Sequence, residues 1–322
     1  MTLIAARASA LRAVMATDRR VTANGKVFDP DANKSIVFGD ANAAVAIGYT
    51  GMAYIGAIPT DQWLVEALTG ISIPEGARGR GTVPSFMTAR YAPKYWGWRV
   101  RTLMERLNDV PPLIDKEHRL AWTAHSFDVL FTGFEWNHGR PRPVIGSLSK
   151  PAKSDLFQLV QPARRWYYRR NGRFPAILCV APEANLAGID LSGVRAQIGD
   201  PTNDPSAVLA GLIHLVSKAV TLVGPDAMTM AFSHPAVDSP TIAIRFISVE
   251  RGEGTLVARG KETSVPITFT PWVVSPGSIS GPSVLTNIQI QLSCGRYRVL
   301  LEGPLSGLGT GAMSSQVRPP VA

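Results

Sequence analysis

A chain of 322 residues, 45% of them hydrophobic, is long enough to bury a large core as one big domain or as one domain with an appendage. Its Lys and Arg exceed its Asp and Glu by enough for a formal charge of +9 and an isoelectric point near 9.8, which favours acidic partners or nucleic acid only as a general tendency. Cys179 and Cys294 stand far apart without metal-ligand spacing, which argues against a disulfide framework and a zinc site and fits a reducing cytoplasm; the absence of a long apolar run argues against a transmembrane helix.

In chain order, Thr2 to Arg7 and Leu11 to Thr17 are short apolar runs that predict a hairpin turning at Ser9. The arginines at 7, 12, 19 and 20, with no acid before Asp18, could mark an organellar transit segment, but the same stretch reads better as two buried strands. Asp18 to Lys34 is polar and turn-rich, with Asn24-Gly25 and Asp29-Pro30-Asp31; Ile36 to Phe38 and Ala43 to Tyr49 predict two more strands. Met52 to Leu68 carries helical spacing, with Pro59 starting or kinking a turn. Residues 70–94, rich in Gly, Pro and Arg, read as a loop insertion. Tyr95 to Leu107 and His118 to Ser126 predict helices separated by Pro111-Pro112.

A hairpin is expected from Asp128 to Trp136 and Pro143 to Ser149 around Asn137-His138-Gly139, and another near Asn171-Gly172. Pro205 to Val223 is amphipathic, with a strand at Met228 to Phe232. Thr241 to Val249, Ser264 to Val274, Thr286 to Ser293 and Tyr297 to Leu301 add strands or a small appended β unit, and 303–322 reads as a flexible tail. Runs of strands and runs of helices in this order predict an α+β fold.

The chemistry starts at the amino terminus. A threonine hydroxyl is a weak nucleophile without a neighbouring base, and a threonine made N-terminal by loss of Met1 carries one in its own α-amine, whose reference pKa of about 7.7 to 8.0 leaves it substantially neutral near physiological pH. Thr2 is small enough for Met1 to be trimmed.

Ala16-Thr17-Asp18-Arg19-Arg20-Val21-Thr22, then Lys34, then Ala46-Ile47-Gly48-Tyr49-Thr50-Gly51 resemble the proteasome β and bacterial HslV-type subunits of the Ntn-hydrolase superfamily. Asp18, Lys34 and Gly48 fall at the family's separations from Thr2 without a gap. The resemblance covers residues 2–70 well and the 205–223 helix loosely. It implies a four-layer αββα sandwich over 2–250, with the loop insertion near 70–94, a β-rich extension over 251–302 and the tail beyond.

The resemblance also implies roles. Thr2 would be the nucleophile of a threonine-type peptidase or amidase working through an acyl-ester. Lys34 would favour the neutral amine and the developing alkoxide, Asp18 would hold Lys34, and the Gly48 N–H would be the oxyanion donor. Main-chain groups of Thr22 and Gly48 would pair with an extended peptide by strand addition, beside a mostly apolar pocket of Val21, Ala32, Ile36, Ala46 and Thr50. No cofactor or metal is implied. Ring-forming homo-oligomers are the family habit, and an ATPase partner is open.

The accessory motifs depart from the family: Val223-Gly224-Pro225-Asp226 stands in place of an Asp-x-x-Ser, and Ala181-Pro182-Glu183-Ala184 in place of a Ser-Gly motif. This leaves room for a transpeptidase or small-amide amidase on the same site, or for a catalytically inactive structural subunit. The Arg164-Arg165-Trp166-Tyr167-Tyr168-Arg169-Arg170 run resembles single-strand nucleic-acid binders, but a hairpin arm with a solvated basic face is the better reading. The five histidines show no metal-ligand spacing, and Trp96, Trp98 and Trp122 read as helix-packing residues.

Overall fold

A computed structural model describes residues 3–23, 26–30, 32–74, 86–114, 116–160, 176–180, 191–200, 202–234, 240–247, 253–258, 261–286, 289–294, 296–302 and 314–316. Thr2, the Asn24-Gly25 turn, residues 75–85 of the expected 70–94 loop, the arginine–aromatic run with its Asn171-Gly172 hairpin, and Ala181 to Ala184 lie outside the described residues.

Strands β1 (Ile4–Ala8) and β2 (Arg12–Asp18) form the expected hairpin, turned by Ser9, whose Oγ accepts the Arg12 N–H at 3.0 Å. β3 (Val21–Ala23) and β4 (Lys26–Asp29) make a separate two-stranded hairpin. β5 (Ser35–Gly39) and β6 (Ala43–Thr50) then enter a second large sheet.

The first large sheet runs Ala176–Val180, β1, β2, Ala227–Ser233, Thr241–Ile247, Tyr297–Glu302, Gln289–Cys294, Ser314–Gln316. The second runs Gln158–Val160, Arg140–Lys150, Phe127–Asn137, β6, β5, Trp272–Ser275, Gly277–Ser280, Phe86–Ala89. Alternation along the strands sorts their side chains between faces. Ile4, Ala6, Ala8 and Met15 of the first sheet meet Val37, Ala44, Ala46, Leu130 and Phe134 of the second in one buried cluster. Leu3, Ala5, Val14 and Ala16 point the other way, into a cluster with helices α4 (Leu191–Gly199) and α5 (Pro205–Ala219). The outer face of the second sheet packs Ile36, Phe38 and Ile47 against α1 (Thr60–Thr69), α2 (Trp96–Asn108) and α3 (Lys116–Ala124), with Trp96 and Trp122 buried there and Trp98 exposed.

Several sequence expectations are corrected. The first helix spans Thr60–Thr69 rather than 52–68, because Pro59 lacks an N–H and its fixed φ suits a helix entry; Tyr54–Ile55 and Ile58–Pro59 pair before it. The 205–223 helix stops at Ala219, where Val220 turns extended; its start is fixed by Pro205 and by the Asp204 carboxylate, which caps the Ser206 N–H. The 70–94 segment supplies Phe86–Ala89, which pairs with Gly277–Ser280.

Ser264 to Val274 is two strands in two places: Lys261–Phe269 lies in a small three-stranded sheet, while Trp272–Ser275 runs parallel to β5. Tyr297–Glu302 runs parallel to Thr241–Ile247 in the first sheet. The β-rich residues after 250 therefore extend both large sheets as well as forming a small one. Inside the expected tail, Ser314–Gln316 is a strand paired with Gln289–Gln291.

Candidate active site

β2 ends on Asp18 and β5 begins just after Lys34, so sheet stacking brings these two side chains together from different sheets. Lys34 Nζ lies 3.1 Å from Asp18 Oδ1 and 3.3 Å from Oδ2, and both residues are almost fully buried. The ammonium also donates to the Arg20 carbonyl. Burial pushes the Lys34 ammonium below the usual lysine range, Asp18 pulls it back up and the Arg19 charge pushes it down again.

The Asp18 carboxylate is a hub. Oδ1 accepts the Leu3 N–H at 3.0 Å, and Oδ2 accepts the Arg20 N–H at 3.3 Å and the Gly224 N–H at 3.1 Å. The Asp18 N–H in turn donates to the Leu3 carbonyl at 3.1 Å. One buried carboxylate thus ties down the start of β1, the chain after β2, the lysine and a loop more than two hundred residues away. Arg20 strengthens the last link, its guanidinium donating to the carbonyls of Thr221 (2.7 Å) and Val223 (3.4 Å).

The predicted residues divide. Asp18 and Lys34 come together as a buried ion pair. Thr2 lies outside the described residues. Gly48 does not present a free donor. In an antiparallel ladder successive residues point their N–H groups to opposite neighbours. Tyr49 donates to the Lys34 carbonyl on the β5 side, and Trp136 donates to Asn42 on the other side, which fixes the alternation along β6. Gly48, opposite Leu130, therefore turns its N–H toward Phe127–Asn137 and into the sheet. With β5 on its other side, β6 has no edge at Gly48 for an added strand. The position is tight: a Cβ would sit 2.9 Å from Thr17 Cγ2 and 3.1 Å from Met15 Sδ, so a larger residue would have to displace these side chains.

The predicted pocket also divides. Ile36 faces the helices α1–α3 and Ala46 the inter-sheet core, so they do not share a wall. Val21, Thr22 and Ala32 are partly exposed, and Thr50 is buried at the end of β6.

Other neighbours of the pair were not legible as site residues. Asn33 Nδ2 donates to Asp61 Oδ2 at 2.8 Å, and Trp272 Nε1 donates to the same oxygen at 3.0 Å. Asn33 is fixed further by the Tyr49 hydroxyl on its carbonyl and by its own bond to the Ser35 carbonyl. On the other flank the buried Arg19 guanidinium lies 3.8 Å from the Phe269 ring centroid and 5.3 Å from that of Phe246. The acid opening α1 was the one available signal for Asp61; nothing in the sequence placed residues 269 and 272 near residue 18.

Among the described residues, no group of three or more His, Cys, Asp or Glu is placed to hold a metal, and no helix is long and apolar enough to cross a membrane.

No protein-family model matches the sequence, and no curated protein matches it. Among solved structures, the chain is loosely similar to eukaryotic HslV from Trypanosoma brucei, at 14% identity and a TM-score of 0.39 over 73% of this chain and 100% of that one. It is also loosely similar to a Gly-1 mutant of Anbu from Hyphomicrobium sp. strain MC1, at 10% identity and a TM-score of 0.43 over 72% of this chain and 82% of that one. Anbu, an ancestral beta-subunit, from Yersinia bercovieri aligns at 10% identity and a TM-score of 0.40 over 72% and 81%.

Proposed function

We propose that the chain is a divergent, proteasome-like N-terminal threonine hydrolase on a four-layer αββα scaffold, cutting peptide or amide bonds with Thr2 once Met1 is removed. The observation that carries this is the Asp18 hub: the acid that holds the buried Lys34 also holds the N–H of Leu3, the atom to which the Thr2 carbonyl carbon is bonded. Lys34 and the backbone N–H of the residue that follows Thr2 in sequence are thereby held by one carboxylate, which supports the reading.

In the proposed reaction the Thr2 Oγ forms a bond to the substrate carbonyl carbon while its proton passes to the α-amine. Collapse breaks the C–N bond and the ammonium returns that proton to the leaving amine. Water then cleaves the ester by the same route. The Lys34 charge, in a site with little solvent, opposes protonation of the α-amine and stabilises the alkoxide. An amine in place of water gives transpeptidation, and added amine nucleophile separates the two by product analysis. Substrate strands have an edge to join on the β3–β4 hairpin rather than at Gly48. A cytoplasmic homo-oligomer, with or without an ATPase partner, is part of the same proposal.

One observation favours a second reading, an inactive structural subunit: the Gly48 N–H expected to stabilise the oxyanion is committed to the sheet. Intact mass and peptide hydrolysis decide. The hydrolase predicts a chain lacking Met1 whose activity disappears in Thr2→Ala; retention of Met1 with no turnover supports the inactive subunit.

A further inference from the structure

We infer that the short stretch from Phe269 to Trp272, far along the chain in the β-rich region, is a positioning element of the candidate active site, bracing the Asp18–Lys34 pair from both flanks. This rests on the hydrolase reading for its catalytic meaning, though not for its geometry.

Arg19 follows Asp18, and Asn33 precedes Lys34. Each is gripped by a residue of this stretch. Phe269 lies under the Arg19 guanidinium, and its ring packs edge-to-face on Phe246 with centroids 4.5 Å apart. Trp272 reaches Asn33 through the shared Asp61 oxygen and is itself fully buried, with its strand in parallel register beside β5. Between the two, Thr270 is locked to Ser283: the Thr270 N–H donates to the Ser283 carbonyl and the Ser283 N–H donates to Thr270 Oγ1, both at 2.9 Å. The two grips therefore belong to one rigid corner of chain.

This explains a distribution of polar groups that packing alone does not require. A tryptophan in a buried strand could be satisfied by any carbonyl, and an arginine beside the site could reach solvent. Instead both neighbours of the ion pair are fixed by side chains three residues apart. A shift of either flank moves Asp18 relative to Lys34 and releases the Leu3 N–H. Geometric errors near 1 Å are enough to slow a positioned reaction by roughly a hundredfold.

The test uses the full chain with Trp272→Phe, which keeps the ring but deletes the donor, and Phe269→Leu, which keeps apolar bulk but deletes the ring. Leu148→Ala, a fully buried residue of Arg140–Lys150 separated from Trp272–Ser275 by three strands of the second sheet, serves as the control for lost core volume. Labelling of Thr2 by a peptidyl vinyl sulfone gives a maximal rate and a half-saturation concentration. The brace predicts a fall in maximal rate of about tenfold or more in both variants, with half-saturation nearly unchanged and the control at the parent rate. Hydrogen exchange at the Leu3 and Gly224 amides should accelerate about tenfold in the same two variants and not in the control. A parent protein that takes no label overturns the hydrolase reading, and the exchange rates then judge the brace alone. Unchanged exchange in both variants, or equal acceleration in the control, overturns the brace.

Discussion

Two acid–base pairs are buried at opposite ends of β5, and they are built differently. Asp40 and Arg99 meet through two nitrogens at 3.0 and 2.8 Å, and Arg99 also caps the carbonyls of Leu68 and Ala92. Asp40 accepts the N–H groups of Asn42 and Ala43 as well, so the pair clamps α2 to the β5–β6 turn. Asp18 and Lys34 clamp as many chain segments, yet their cation is a lysine. A guanidinium is planar, bidentate and permanently charged, whereas a buried ammonium responds to its surroundings. Arginine stands where the structure needs only a fastener. Lysine stands where the Asp18 carboxylate also holds the Leu3 N–H, and there burial lowers its proton affinity.

The comparison predicts similar stability losses and opposite functional ones. Lys34→Met should cut the rate of Thr2 labelling by about 100-fold or more, because the proposed charge stabilisation acts on the alkoxide and the amine. Arg99→Met should leave labelling at the parent rate. Each strands a buried carboxylate and should cost about 3 kcal/mol in urea denaturation. Equal loss of labelling in the two variants would break the distinction between fastener and catalytic cation.

A smaller effect is expected at Asp128, a half-buried carboxyl on the strand beside β6. Burial raises its pKa, against the Ser149 hydrogen bond and the Lys150 charge that lower it. A raised carboxyl pKa means that the folded protein prefers the protonated form, so the contribution present below the unfolded value is lost as pH rises through the folded one. Asp128→Asn should therefore raise Tm at pH 7, with the gain vanishing as pH falls toward the ordinary aspartate range. The smallest effect is at Arg245, whose 3.4 Å pair with Asp204 is over 40% exposed on both sides. Arg245→Gln should cost less than about 1 kcal/mol and leave labelling unchanged.

Local pattern carried much of the fold. The β1–β2 hairpin was legible because Ser9 turns the chain between two apolar runs, and the Asn137-His138-Gly139 turn because it needs positive φ, found at His138 (49°) and Gly139 (76°). The helix at 191–199 was missed: its Leu, Gly and Ala composition gives a weak face, and its burial against α5 supplies the rest. Asp18 and Lys34 were legible through a resemblance confined to one end of the chain. Gly48 was misjudged because its N–H depends on which strands flank β6, and Phe127–Asn137 joins from eighty residues away. Trp272 and Phe269 were invisible for the same reason, since their meaning comes entirely from tertiary placement.

The most direct test of the central claim is peptide mapping by mass spectrometry after treatment with a peptidyl vinyl sulfone. One adduct is expected, on a Thr2 that has lost Met1, formed at the parent rate in Arg99→Met and about 100-fold or more slowly in Lys34→Met. An intact Met1, or an adduct that persists in Thr2→Ala, would contradict it.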